Sequence, residues 1–129
     1  MSPAHVSAGI VTDDADELLT FYADGLGFQL ESTSEFPQGT VHRLRRDDAH
    51  CKLYAPVDGA ARPPRPDPWF RDVGFAYAAL HVDDVEATAA AAQRAGAAVL
   101  TAPTSHRPGA VYALIADPQG NVWELLQEA

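Results

Sequence analysis

The sequence has a single cysteine and no long apolar run. Cys51 stands alone among 129 residues, so no disulfide forms within the chain, and a reducing cytoplasm is the expected compartment. No stretch is apolar and long enough to cross a membrane. Residues 1–5 lack the basic start and apolar segment of a secretory signal. We therefore expect a cytoplasmic protein with no membrane partner.

Positive charge is also scarce. Nine Lys and Arg stand against eighteen Asp and Glu, and the formal net charge is −9. Because nucleic acid binding requires clustered Lys and Arg, we expect no nucleic acid partner. The acidic balance suits a cationic small molecule, or it serves solubility alone. Hydrophobic residues make up 47% of the chain, which is ordinary for one globular domain with a core.

The stretch 115–126 predicts a strand, a tight turn and a second strand. Gly120 tolerates the positive φ that the turn requires. After the turn, Trp123 and Leu125 point to one face of the strand and Glu124 to the other. Burying an unpaired carboxylate on such an apolar strand is costly, so the partner of Glu124 is the central question.

The chain repeats one β-α-β-β-β pattern. Asp13–Asp14 opens a helix that ends at Gly25–Gly27, and the same acidic pair recurs at Asp83–Asp84 before an alanine-rich helix at 87–95. The predicted strands are 6–11, 28–33, 40–46, 50–55, 75–82, 97–101, 109–116 and 121–127. Each copy is too small to bury its own sheet face, so the two should pair.

These copies give the expected domain organisation. Residues 1–129 form a single domain, with module 1 at about 4–56, a linker at about 57–73 and module 2 at about 74–128. Five prolines between positions 56 and 68 exclude a helix interior or a central strand there. Trp69, near the end of the linker, either anchors it or contacts a ligand.

Three motifs carry a family resemblance. They are FYADGLGF at 21–28, HVDDV at 81–85 and DPQGNVWEL at 117–125. With them, the chain resembles the vicinal oxygen chelate superfamily, which includes glyoxalase I, bleomycin-resistance proteins, fosfomycin-resistance proteins and extradiol dioxygenases. The resemblance covers nearly the whole chain outside the linker. It implies an α+β fold in which two βαβββ modules pair into a curved cleft with the helices outside, and a homodimer, with or without exchanged modules.

The resemblance also implies where a metal would lie. In metal-using members, each module supplies one side chain from its first strand and one from its last. Here those positions fall on Ser7, Lys52, Tyr77 and Glu124. Hydroxyls are weak ligands for a divalent ion and an ammonium group repels it, so we predict no metal and no other cofactor. A divalent metal bound by other residues is the alternative.

A ligand site follows from the same positions. The expected lining is Ser7, His42, Lys52, Tyr54, Trp69, Tyr77 and Glu124. We expect Lys52 and Glu124 to meet at the cleft floor, either as a fixed ion pair or as handles for a ligand's anionic and amine or hydroxyl groups. An acid–base role for Glu124 or Tyr77 is the catalytic alternative.

The leading hypothesis is therefore a metal-free small-molecule binder of the bleomycin-resistance type. Such a protein would sequester a cationic or aromatic antibiotic or metabolite by electrostatic steering and stacking. The alternative is a metal-dependent lyase, isomerase or dioxygenase of the same superfamily. The sequence leaves open whether the protein is an enzyme.

Overall fold

The structure, a computed structural model, describes residues 3–128 and contains two β-α-β-β-β modules in that range. The first comprises β1 (Ala8–Val11), α1 (Ala15–Asp24), β2 (Gln29–Phe36), β3 (Gly39–Arg46) and β4 (Ala49–Pro56). The second comprises β5 (Ala78–His81), α2 (Val85–Arg94), β6 (Ala98–Arg107), β7 (Ala110–Ala116) and β8 (Val122–Gln127). The predicted α+β fold and the order of its elements are confirmed. Strands β1 and β5 are shorter than expected, and β6 is longer.

Each module forms its own four-stranded mixed sheet. The order is β1-β4-β3-β2 in the first sheet and β5-β8-β7-β6 in the second. The first strand of each module pairs in parallel with the last, and the other pairings are antiparallel. Strands β1 and β5 are therefore sheet edges. No helix within residues 3–128 has the length and apolarity needed to span a membrane.

The two helices begin where the acidic pairs predict. The Asp14 side chain accepts a hydrogen bond from the Glu17 backbone N–H at 3.2 Å, and Asp84 accepts one from Ala87 at 3.0 Å. These caps satisfy backbone donors that a helix start leaves free. Helix α1 ends at its C-cap Gly25.

The modules share one hydrophobic core. Helix α1 buries Leu18, Phe21 and Tyr22 in it. The Tyr22 ring lies 6.0 Å from Phe28 and 5.9 Å from Trp123, centroid to centroid, in edge-on contacts. Because Trp123 comes from the second module, these rings join the two halves.

A polar network, which we call the inter-module clasp, lies beside these rings and comprises Thr12, Tyr22, Asp117 and Gln119. Tyr22 donates to Asp117 Oδ2 at 2.6 Å, and the Thr12 hydroxyl donates to Gln119 Oε1 at 2.7 Å. Thr12, Asp117 and Gln119 are buried. Buried polar groups are stable only when they are hydrogen-bonded, so the clasp fixes one module against the other.

The linker crosses the surface of both modules. It forms no helix or strand between positions 57 and 77. Arg62 donates to Asp13 at 2.8 Å and to Glu17 at 3.2 Å, on the first module. Arg65 donates to the Gln119 carbonyl at 3.2 Å, on the second.

Candidate functional site

A cleft of about 1710 Å³ lies between the two modules, along the edge strands β1 and β5. Ala8 and Ile10 line it from β1, and Ala78 and Leu80 line it from β5. Residues 65–70 and 72–77 of the linker region form much of its wall. Strands β1 and β5 are sheet edges that do not pair with one another.

Aromatic rings of the linker region gather at this cleft. The Trp69 ring lies 5.6 Å from that of Tyr77 and 5.2 Å from that of Phe70, both edge-on. Phe70 is 67% exposed and Tyr77 is 42% exposed. Rings that contact each other yet remain open to solvent offer a stacking surface to a ligand.

The charges around the cleft are mostly negative. The acidic residues that line it are Asp47, Asp48, Asp67 and Asp72, and the arginines are Arg46 and Arg65. Arg46 donates to the Leu26 carbonyl, and Arg65 donates to Gln119 and Asn121. Asp72 is bound by Arg71 at 2.9 Å. More carboxylates than arginines therefore line the cleft, and both arginines donate hydrogen bonds to other groups of the protein.

The seven residues expected to line one site are divided between different surfaces. Ser7, Trp69 and Tyr77 line the inter-module cleft. Lys52 and Tyr54 lie on β4, on the face opposite the buried Leu53.

Glu124 lies on the corresponding face of the second sheet. It pairs in register with Ala79 and Leu114 and is half-buried. Its neighbours Trp123 and Leu125 are buried on the other face, as the alternation predicts.

The expected ion pair between Lys52 and Glu124 is absent from the salt bridges of residues 3–128. These two side chains lie on two separate sheets, on the faces opposite the shared core. Their in-register neighbours Gly9 and Ala79 line the cleft. Glu124 is also not enclosed. It therefore needs no partner to offset burial, contrary to our expectation.

His42 also lies away from the ligand site that it was expected to line. It pairs with Leu53, whereas its neighbour Arg43 pairs with Lys52, so His42 points to the other side of the first sheet. Its Nδ1 is 3.0 Å from the Thr33 hydroxyl. The strand register, which the sequence alone does not fix, decides this orientation.

The four residues at the positions that the resemblance implies for a metal are unsuited to binding a divalent ion. Ser7 and Tyr77 offer hydroxyls, Lys52 is a cation, and only Glu124 is a good ligand for a divalent ion. Within the described part of the chain, no three His, Cys, Asp or Glu side chains are grouped so that they would hold a metal.

Some notable residues were missed or only partly anticipated from the sequence. Phe70 was not among the residues expected to line the site, yet it lines the cleft. Asp117 accepts a hydrogen bond from the Gln119 backbone N–H within its own turn, and it also accepts one from the Tyr22 hydroxyl. Arg43 was not anticipated, although its alternation with the buried Leu44 places it opposite the core.

Comparisons with known proteins agree with this fold. Residues 2–125 match the family described as Glyoxalase/Bleomycin resistance protein/Dioxygenase superfamily. The chain is 34% identical over 122 residues to the putative glyoxylase CFP32 of Mycobacterium bovis and of Mycobacterium tuberculosis. The match covers 93% of this chain but 42% of each relative, so the chain spans less than half of their length.

Solved structures share the architecture. Glyoxalase I from Zea mays superposes with a TM-score of 0.78 at 22% identity, over 95% of this chain and 44% of its own. TnmS3, an antibiotic binding protein from Streptomyces sp. CB03234, superposes with a TM-score of 0.68 at 25% identity, over 100% of this chain and 99% of its own. The chain therefore belongs to the glyoxalase/bleomycin resistance protein/dioxygenase superfamily, as its motifs predicted.

Proposed function

We propose that this protein binds a small molecule without a metal and sequesters a cationic, aromatic antibiotic or metabolite, in the manner of a bleomycin-resistance protein. The observation that carries the proposal is the aromatic, carboxylate-lined cleft between the modules. TnmS3, which resembles this chain over its whole length, is an antibiotic binding protein. We further propose that the protein acts in the cytoplasm, because its single cysteine suits a reducing compartment.

The chemistry of the cleft favours such a ligand. A cation over the face of Trp69 or Tyr77 is attracted by the ring quadrupole, and an aromatic body stacks on the same rings. Asp47 and Asp67 raise the local concentration of cations. A volume of about 1710 Å³ exceeds that of an ordinary drug pocket, so a bulky ligand fits together with water.

Calorimetry against a panel of cationic aromatic compounds tests this proposal. Trp69→Ala should weaken binding roughly tenfold or more, since a desolvated cation–π contact contributes about 2 kcal/mol. Phe36→Ala is the matched control: Phe36 is also an exposed aromatic, but it does not line the cleft, and its loss should change affinity less than about twofold. Equal losses in the two variants, or no binding by the wild type, would overturn the proposal.

A metal-dependent lyase, isomerase or dioxygenase is the second candidate. The 34% identity to a putative glyoxylase favours it. An acid–base role for Glu124 or Tyr77 belongs instead to a metal-free enzyme. Elemental analysis of dialysed protein decides between the candidates: a stoichiometric divalent ion that Glu124→Gln removes supports the enzyme.

We also propose a homodimer. The sheet faces that carry Lys52 and Glu124 are not covered by the helices, and Val11 on the first face is 60% exposed. The linker is long enough to permit exchange of modules between copies. Sedimentation at several concentrations measures the mass, and a monomer at all of them contradicts this part.

A further inference from the structure

The last part of the linker is anchored to the second module at both of its ends. We call residues 66–76 the cleft strap, because nearly all of them line the inter-module cleft. Just before the strap, Arg65 donates to the Gln119 carbonyl and to Asn121 Oδ1, both at 3.2 Å. Just after it, the chain enters β5, where Ala78 is paired with β8.

Between these anchors, no hydrogen bond joins the cleft strap to either module within residues 3–128. The backbone hydrogen bond from the Arg71 N–H to the Pro68 carbonyl, at 2.9 Å, is internal to the strap. The side chains of Arg71 and Asp72 likewise bind each other. Because the strap has no polar contact with the modules to break, it can move while both modules stay folded.

The backbone of the strap also contains a position suited to a change of direction. Gly74 has a φ of +135°, which residues with a side chain rarely adopt. An added Cβ at Gly74 would meet nothing within 4 Å, so this position is not packed against either module. The strap is therefore free to turn between its two anchors.

The strap holds apolar side chains in water beside the cleft. Val73 and Phe75 line the cleft and are fully exposed. Val6 of the first module and Leu100 of the second line the same cleft and are exposed as well. Burying such apolar surface is favourable, so any movement that brings the strap onto a covered surface stabilises the new position.

A ligand in the cleft provides that surface. An aromatic body stacked on Trp69 presents its other face to the apolar side chains of the strap. Asp67, which lies on the strap and lines the cleft, would bring a carboxylate to a cationic ligand. Closure is therefore coupled to the presence of an aromatic cation.

We propose that the cleft strap is a lid that closes over the bound ligand, and that Phe75 is the residue that covers it. This inference rests on the proposed function, since it takes the cationic, aromatic ligand of the cleft as given. It adds a second step to binding: the ligand enters the open cleft, and the strap then moves onto it. Because the strap must open before the ligand leaves, closure slows dissociation.

Binding kinetics of proflavine, a fluorescent aromatic cation, test the role of Phe75; the tightest binder of the cationic aromatic panel replaces it if proflavine does not bind. Phe75→Ala should raise the dissociation rate constant roughly fivefold or more and change the association rate constant less than about twofold. Phe75→Leu, which keeps an apolar side chain, should retain most of the slow dissociation. Phe36→Ala is the matched control, an exposed phenylalanine outside the cleft, and should leave both rate constants unchanged.

Amide hydrogen exchange follows the strap itself. In the free protein, residues 66–76 should exchange rapidly, because no hydrogen bond to the modules protects them. Saturating ligand should slow this exchange roughly tenfold or more in the wild type and in Phe36→Ala, and much less in Phe75→Ala. Without ligand, Phe75→Ala should unfold in urea as the wild type does, since a fully exposed ring has little packing to lose.

The lid and the proposed function fail in different ways. If the wild type binds no compound of the panel, both are overturned. If ligand binds and Trp69→Ala weakens it, but Phe75→Ala keeps the wild-type dissociation rate or the strap stays unprotected, only the lid is overturned. A Phe75→Ala variant that dissociates a dimer without changing ligand release would assign the ring to a contact with a second copy, and would also overturn the lid.

Discussion

The Tyr22 hydroxyl donates a hydrogen bond of 2.6 Å to Oδ2 of Asp117, and so links helix α1 to the β7–β8 turn of the other module. The same hydroxyl accepts a hydrogen bond from the Trp123 indole N–H at 2.8 Å. Asp117 is itself buried and accepts further hydrogen bonds from Gln119 and Asn121. A single phenol thus joins a buried carboxylate and a buried indole from the opposite half of the chain.

Removing this hydroxyl tests the inter-module clasp. Tyr22→Phe keeps the ring packing but removes the hydroxyl that donates to the buried Asp117 carboxylate and accepts from the Trp123 indole N–H. The free energy of unfolding should therefore fall by about 2–3 kcal/mol. Urea unfolding measures the change. Tyr112→Phe is the control, because the Tyr112 hydroxyl makes no hydrogen bond among the described residues. A loss no larger than that of the control would contradict the role of the clasp.

Features of the fold that depend only on residues close in the sequence were predictable. Asp14 and Asp84 cap the two helices, because an N-cap aspartate accepts a hydrogen bond from the backbone N–H three residues later and this contact depends only on local sequence. The turn before Gly120 follows equally from local chemistry: Gly120 has a φ of +87° and donates to the Asp117 carbonyl.

The candidate site was less predictable because it depends on long-range placement. The orientation of His42 follows from the pairing of β3 with β4, and a shift of one residue reverses it. The separation of Lys52 from Glu124 follows from which sheet faces meet, and no local pattern encodes that choice. The sequence suggested a buried charge at Glu124 only because its neighbours along the strand are apolar.

Alkaline pH should destabilise the protein through Cys51. Burial raises the pKa of this thiol from its ordinary value of 9.0 to about 12. Between these values the unfolded chain loses a proton that the folded chain keeps, so stability is full below pH 9 and falls as pH rises. The fall should approach about 1.4 kcal/mol per pH unit.

Unfolding free energies measured between pH 8 and about pH 11 check this slope. Cys51→Ala should show a shallower slope in this range, whatever its absolute stability, because no thiol remains to ionise. Burial and the Asp117 charge also raise the pKa of Tyr22 above its usual value of 10.0, so Tyr22→Phe should flatten the curve above pH 10. Identical slopes in all three proteins would exclude both groups as the cause.

Gly120 combines two obstacles to a side chain, a left-handed backbone conformation and a close neighbouring atom. A Cβ there would lie 2.6 Å from Arg65 Cγ, and the φ of +87° is itself unfavourable for alanine. Gly120→Ala should lower the free energy of unfolding by more than about 1 kcal/mol. Gly59 has a φ of +80°, but an added Cβ there would meet no atom within 4 Å. At Gly9 there is neither a positive φ nor a close atom.

These three variants separate strain from crowding in one series. Urea midpoints should fall in the order Gly9→Ala, Gly59→Ala, Gly120→Ala, with Gly120→Ala the least stable. If Gly120→Ala and Gly59→Ala lose the same stability, the contact with Arg65 contributes nothing and backbone conformation explains both.

The attachment of the linker to the first module should be visible in the titration of Asp13. Hydrogen bonds from Arg62 hold the pKa of Asp13 below its usual value of 3.8. Any stability from this pair is therefore present above that value and is lost as pH falls through the lower, folded pKa. Carboxyl NMR should show Asp13 titrating below its usual range in the wild type and near it in Arg62→Gln. Arg65→Gln, which alters a linker arginine on the second module, should leave Asp13 unchanged; if Asp13 titrates alike in all three proteins, Arg62 does not bind it in solution.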